Sequence, residues 1–131
     1  MAPTATPVYP QANNTQDTNI ATAATNTTVY TAAANGGQVS DILISSNDTA
    51  NQAAQLFKNT STIPLASIMI PAGAGTANAN NAINILAAVN CLVDEYGNKV
   101  LRLKANEILK VAITAITGGK SFQIMAQGVD L

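Results

Sequence analysis

The chain has no histidine, no tryptophan and a single cysteine, Cys91. Without histidine it loses the commonest general base, the commonest zinc ligand and both the Ser/His and Cys/His nucleophile systems. With one cysteine it can form no internal disulfide, and Cys91 lies in the apolar run Ile83–Val93, where it reads as a small buried hydrophobe. Charge is scarce too. Charged residues make up 10% of the 131 positions and the net charge is −1, whereas ordinary soluble domains carry roughly 25%. The six basic residues form no block, and Lys99, Arg102 and Lys104 sit on one strand-like segment. With no aromatic stacking set beside them, nucleic-acid binding is not expected.

The acids are equally dispersed: Asp17, Asp41, Asp48, Asp94, Glu95, Glu107 and Asp130. Only Asp94-Glu95 is a tight pair, and it stands in a turn cluster where Asp serves the backbone. The loop lacks the alternating oxygen ligands of a calcium site. Gly73-x-Gly75 lacks the third glycine and the Lys-Ser/Thr of a phosphate loop. Distant carboxylates can meet in a fold, so a small hydrolase stays open as a third reading. The missing histidine and tryptophan weigh against it. The expectation is a non-enzymatic chain with no cofactor and no metal.

Two more features are absent. The first residues have no basic region followed by an apolar core, as a secretory leader would. The longest mostly apolar stretch, Ala82–Val93, is too short to span a bilayer and contains Asn84 and Asn90. A soluble product of a reducing compartment is expected.

What remains is hydrophobic residues at 47%, in a length that suits one domain. Residues 1–26 carry Pro3, Pro7 and Pro10 with many Thr, Asn and Ala. Such a segment has little to bury and is either a floppy terminus or an extended N-terminal arm that becomes ordered on a partner, the arm being the expectation. Val8, Tyr9 and Ile20 are its apolar anchors and the candidate partner-binding residues. From Thr27 to Leu131 the pattern is short alternating runs closed by turn residues. Thr27–Thr31 ends at Asn35-Gly36-Gly37, and Val39–Ser46 follows. Ala54–Lys58 reads as a strand, although Asn51–Gln55 could also support a helical turn. Pro64–Ile70 is stopped by Pro71. Asn78–Val93 fits helical and strand spacing equally. Lys99–Lys104, Ile108–Ile116 and Ser121–Gln127 complete the series.

Many short strands with Gly/Asn turns and no βαβ alternation predict an all-β, antiparallel sandwich. Its core should include Ile42, Ile44, Ile68, Leu101, Leu103, Leu109, Val111, Ile113, Phe122 and Ile124.

The order of segments resembles small virion proteins of tailed bacteriophages, of the capsid decoration (cement) or head/tail accessory type. The residues that carry the resemblance are Thr28-Val29-Tyr30-Thr31-Ala32 leading to Ala34-Asn35-Gly36-Gly37, and then Ile42-Leu43-Ile44-Ser45-Ser46-Asn47-Asp48-Thr49. After them come Ile68-Met69-Ile70-Pro71-Ala72, Leu101-Arg102-Leu103-Lys104-Ala105-Asn106-Glu107-Ile108-Leu109, and Ala126-Gln127-Gly128-Val129-Asp130-Leu131. The resemblance spans roughly residues 27–131. These are turn-and-strand patterns, not catalytic signatures. Asn106 stands where such proteins often have Gly, a mild departure because Asn tolerates the same backbone. The Asn78–Val93 insert is long, and the arm is outside the pattern.

The resemblance implies a jelly-roll type sandwich, made in the host cytoplasm and displayed on the virion, often as a homo-oligomer (trimer). Its partner would be the major capsid protein, with no nucleic acid and no membrane. A capsid decoration protein is the leading expectation. A tail, baseplate or host-attachment module is the alternative.

Overall fold

The structure, a computed structural model, describes residues 12–76, 80–89, 92–93, 97 and 99–131. Among the described residues ten strands follow one another: β1 (Ala12–Ile20), β2 (Thr27–Thr31), β3 (Gly37–Ser46), β4 (Gln52–Lys58), β5 (Ala66–Ile70), β6 (Ile83–Asn84), β7 (Leu92–Val93), β8 (Lys99–Leu103), β9 (Ile108–Ile113) and β10 (Phe122–Asp130). They form two antiparallel sheets. One runs β1-β10-β3-β8-β7, with β6 also paired to β3, and the other runs β2-β9-β4-β5. The sheets pack face to face as a β-sandwich around one cluster of buried side chains from both.

Alternation explains most of the packing. On β10 Phe122, Ile124 and Ala126 point inward and Gln123 outward. Two bulges account for the departures. Gln127 pairs with Asp41 but Gly128 pairs with Val39, so Ser40 is the extra residue. Val39 and Ile42, three positions apart, therefore both reach the core. In β2, Thr28 pairs with Lys110 and Tyr30 with Leu109, which leaves Val29 extra. Neighbouring Val29 and Tyr30 are both buried as a result.

Of the expected core, Ile42, Ile44, Leu103, Leu109, Val111, Ile113, Phe122 and Ile124 are buried. Ile68 and Leu101 are half-buried and pack against the cluster. The Asn78–Val93 insert is neither a long helix nor a long strand where it is described. Asn84 decides this. Its Oδ1 accepts from the backbone N–H groups of Ile42 and Leu86, both at 3.1 Å. The first contact ties β6 to β3, and the second starts the 3-10 turn Ile85–Ala88. Ile85 and Leu86 are buried by that turn.

The segment expected to be an arm over residues 1–26 is corrected from Ala12 onward. Residues 12–20 form β1, paired with β10 from Ala12↔Asp130 to Ile20↔Phe122. The polar composition misleads because β1 is an edge strand. Asn14, Gln16 and Thr18 are only partly buried on its inward side, and Ile20 alone joins the core. Main-chain pairing holds the strand, helped by side-chain amides. Asn14 donates to Asp130 at 2.9 Å. Gln16 accepts from the Thr31 N–H and donates to the Thr31 carbonyl, both at 3.0 Å. One amide thus completes the free edge of β2 as another strand would.

Candidate interaction surface

Of the three expected partner-binding residues, Val8 and Tyr9 lie outside the described residues, as do Cys91 and the Asp94-Glu95 pair. Ile20 is described and is buried rather than presented at the surface. It is 2% exposed, opposite Phe122, in the core of its own chain. An inward-pointing side chain at the end of a paired strand has no surface to offer.

The described charges that are most constrained serve the fold. Asp48, just past β3, is 1% exposed. Burial disfavours its charge. Hydrogen bonds from the Thr117 hydroxyl (2.6 Å), the Thr117 N–H (2.9 Å) and the Ala50 N–H (2.9 Å) outweigh that and hold its pKa down at about 2. Glu107 is also held at about 2. The largest cause is the Lys104 N–H at 2.7 Å, which together with Lys58 and Asn59 (each 3.0 Å) overcomes burial. The turn before it has Asn106 at φ 60°, and Asn59 stands at φ 53°. Asn is among the few non-glycine residues that adopt this conformation readily. Two carboxylates this acidic are fixed anions at neutral pH, committed to backbone donors. They have no proton to give. Among the described residues no three of His, Cys, Asp and Glu come together as a metal site.

Among the described residues, hollows indent the first sheet's side of the molecule, two of which bear on function. The larger, of about 570 Å³, is lined by Ser40, Asp41, Asn84, Leu86, Ala87, Gly97 and Lys99. Its charged groups are engaged within the chain. Lys99 donates to the carbonyls of Ala87 (2.9 Å) and Val89 (3.0 Å), and Asp41 accepts from Asn84 at 3.0 Å. The smaller, of about 220 Å³, is lined by Asn19, Ser45, Ser46, Asn47, Gly75, Thr76, Ser121 and Gln123. It offers neutral amides and hydroxyls. Gly75 has φ +78°, and a Cβ there would lie 2.9 Å from that of Ser45, so only glycine lets this loop close against β3.

The feature that stands apart is the edge at β5. Among the described residues, the large apolar side chains left exposed are Ile63 (76%), Leu65 (44%) and Met69 (56%), all on β5 and the loop before it. β5 pairs with β4 along its length, from Gln52↔Ile70 to Leu56↔Ala66, and ends its sheet. From Asn59 to Val93 the sequence contains no charged residue. Sequence reasoning places Leu65 and Met69 on a strand but does not single out this edge. The readable signal is alternation, with Ser67 and Met69 on the opposite face from Ile68 and Ile70, inside a charge-free stretch. Ile63 carries no such signal.

Comparisons of the chain with models of protein families, with curated proteins and with solved structures each returned no match.

Proposed function

We propose that the chain is a structural virion protein, a capsid decoration (cement) protein that binds and stabilises an assembled phage capsid. The observation that carries this reading is the uncharged apolar edge at Ile63, Leu65 and Met69. Exposed apolar side chains grouped on one sheet edge suit contact with another protein surface. The acids described in detail, Asp48 and Glu107, are spent on the fold, which suits a protein that works by adding contacts and catalyses no reaction. The partner would be the major capsid protein, on the outer capsid surface, with neither nucleic acid nor membrane involved. The resemblance adds a jelly-roll type sandwich and a trimeric homo-oligomer.

The smaller hollow favours a second reading. Its ring of neutral hydroxyl and amide groups would suit a polyhydroxylated ligand, and so a tail, baseplate or host-attachment module that touches glycans.

The test is co-expression with the major capsid protein of the same genome, followed by sedimentation and cryo-EM of the shells. Many regularly spaced copies on the outer shell support the decoration reading. Shells that sediment without the chain, with the chain found instead at a tail or baseplate, sink it in favour of the second.

A further inference from the structure

We propose that Asn35 is a site of covalent modification, at which the backbone nitrogen of Gly36 displaces the side-chain amide as ammonia, and that the end of β10 gates this reaction by holding the turn closed. The proposal stands independently of the virion reading.

Asn35-Gly36 is the one Asn-Gly pair in the chain. Asn35 is exposed on the turn between β2 and β3, and among the described residues its side-chain amide has no hydrogen-bond partner. The carbonyl carbon of that amide is an accessible electrophile. Gly36 has no side chain to crowd an attack by its own nitrogen. The fold also requires glycine there. Gly36 stands at φ +91°, and a Cβ would lie 2.5 Å from the Leu103 carbonyl oxygen. The unhindered nucleophile is therefore built into the turn.

The step needs only water. The Gly36 nitrogen gives its proton to solvent base and bonds to Cγ of Asn35. The bond from Cγ to the amide nitrogen breaks, and that nitrogen takes a proton from solvent and leaves as ammonia. Water then opens the cyclic imide at either carbonyl and leaves an aspartyl or an isoaspartyl residue. Net, one water enters and one ammonia departs, with no change of oxidation state.

The closed turn restrains the nucleophile. Gly36 is buried, and its N–H donates to the Ala33 carbonyl at 3.0 Å. That carbonyl also accepts from the Asn106 N–H at 3.2 Å. On the other side the Gly36 carbonyl accepts from the Leu131 N–H at 3.2 Å, and Gly37 pairs with Asp130. Drawing the Gly36 nitrogen onto Cγ of Asn35 turns the peptide between them and breaks the bond to Ala33. With its carbonyl held by Leu131, Gly36 follows only when the end of β10 lifts from β3. Opening of a strand end is among the cheaper local motions of a fold. The product then opposes reclosing. An isoaspartyl link adds a methylene to a turn whose bridge joins Ala33 to Gly36. Either product also adds a negative charge next to the Gly37–Asp130 pair. The modification is a one-way record of opening at this end of the sandwich.

The experiment incubates the full-length chain in mildly alkaline buffer. Peptide mapping by mass spectrometry reads the amide-to-acid conversion at Asn35. The samples are the folded parent, the parent in urea, Leu131→Pro, which lacks the N–H that Gly36 accepts, and Leu131→Ala, which keeps it. A chain ending at Asp130 removes the same donor by another route. Circular dichroism should show each variant folded. Conversion should be faster in urea than in the folded parent by about tenfold or more. It should be several-fold faster in Leu131→Pro and in the shortened chain, and as slow in Leu131→Ala as in the parent. The modified chain, once separated, should melt earlier than the parent. Asn35→Asp, which has the charge without the added methylene, should lose less. Equal conversion in urea and in the folded parent, no acceleration when the Leu131 donor is removed, or a modified chain that melts with the parent would each overturn the proposal.

Discussion

The carboxylate of Asp48 accepts hydrogen bonds from both the hydroxyl and the backbone N–H of Thr117, 2.6 and 2.9 Å away and 69 positions on in sequence. It also takes the Ala50 N–H at 2.9 Å, while the Asp48 carbonyl accepts from the Gly73 N–H at 3.0 Å. One residue at the end of β3 therefore fixes the turn into β4, the loop after β5 and the connection from β9 to β10.

Asp48→Asn puts an NH2 group where donors already converge. It should cost about 2–3 kcal/mol, the loss expected for hydrogen bonds to a charged group. Thr117→Val keeps the N–H contact and should cost about 1.5–3 kcal/mol through the lost hydroxyl alone. Urea unfolding of both variants checks this, and a change below the error of extrapolation would show that the site contributes no stability.

Acid should unfold the protein through the same group and through Glu107. Both folded pKa values stand at about 2, below their ordinary values of 3.8 and 4.5. A depressed carboxylate stabilises the fold fully above its unfolded pKa, and that contribution is lost as pH falls through the folded pKa. Melting temperature should be flat from neutral pH down to about 5 and then fall between about 4.5 and 2. In Asp48→Asn/Glu107→Gln the fall over that window should be markedly smaller. An identical slope in parent and variant would assign acid sensitivity elsewhere.

Tyr30 and Gly128 give a paired test across the sandwich. The phenol of Tyr30 is fully buried, and among the described residues no group reaches its oxygen with hydrogen-bond geometry; burial first, then the Asp130 carboxylate, raises its pKa, while the nearby Asn14 amide lowers it. A Cβ at Gly128 would collide with the Gln38 carbonyl and lie 2.9 Å from the Tyr30 oxygen. Gly128→Ala should destabilise by about 1–3 kcal/mol. Tyr30→Phe should be neutral or stabilising, since it removes a buried group that has no partner. Thermal melts of the two variants, and of the pair together, decide it. A Tyr30→Phe loss comparable to that of Gly128→Ala would mean that the hydroxyl is satisfied.

The place of β1 can be tested at Ile20 and Gln16. Ile20→Ala should cost about 2–4 kcal/mol as a core truncation. Gln16→Ala should cost about 1 kcal/mol through the two hydrogen bonds to Thr31. A chain that starts at Ala21 leaves β10 with an unpaired edge and should melt earlier and aggregate. An unchanged melting temperature for that truncation would restore the picture of an extended arm that the sandwich does not need.

The fold class was legible because the period of side-chain burial is a local property. Phe122, Ile124 and Ala126 alternate with polar neighbours whatever lies across from them, and the same holds for Leu109, Val111 and Ile113. Turn residues were legible for the same reason, as at Asn35-Gly36 and Asn106, whose backbones take positive φ at Gly36 and Asn106. β1 was not legible. Its inner face is Asn14, Gln16 and Thr18, side chains that work by hydrogen bonding to Asp130, Thr31 and Thr28 in turn, and a composition test counts them as disorder-prone. The β5 edge was only half legible. Met69 could be placed on a strand, but exposure depends on whether another strand lies beside it.

By itself, then, the sequence determined an antiparallel all-β chain, where it reverses, and which residue types it has to work with, since composition, pleat and turn conformation are set within a few residues. Only the tertiary structure decided which strands meet. The turns after β2, β3, β8 and β9 each carry the chain to the opposite sheet, so consecutive strands there are not partners. β10 pairs instead with β1 and β3, which lie far back in the chain. A turn residue constrains its own φ and ψ and carries no information about which distant edge is free. That is settled by burying one shared core, and the same settlement leaves Met69 exposed and Ile20 buried.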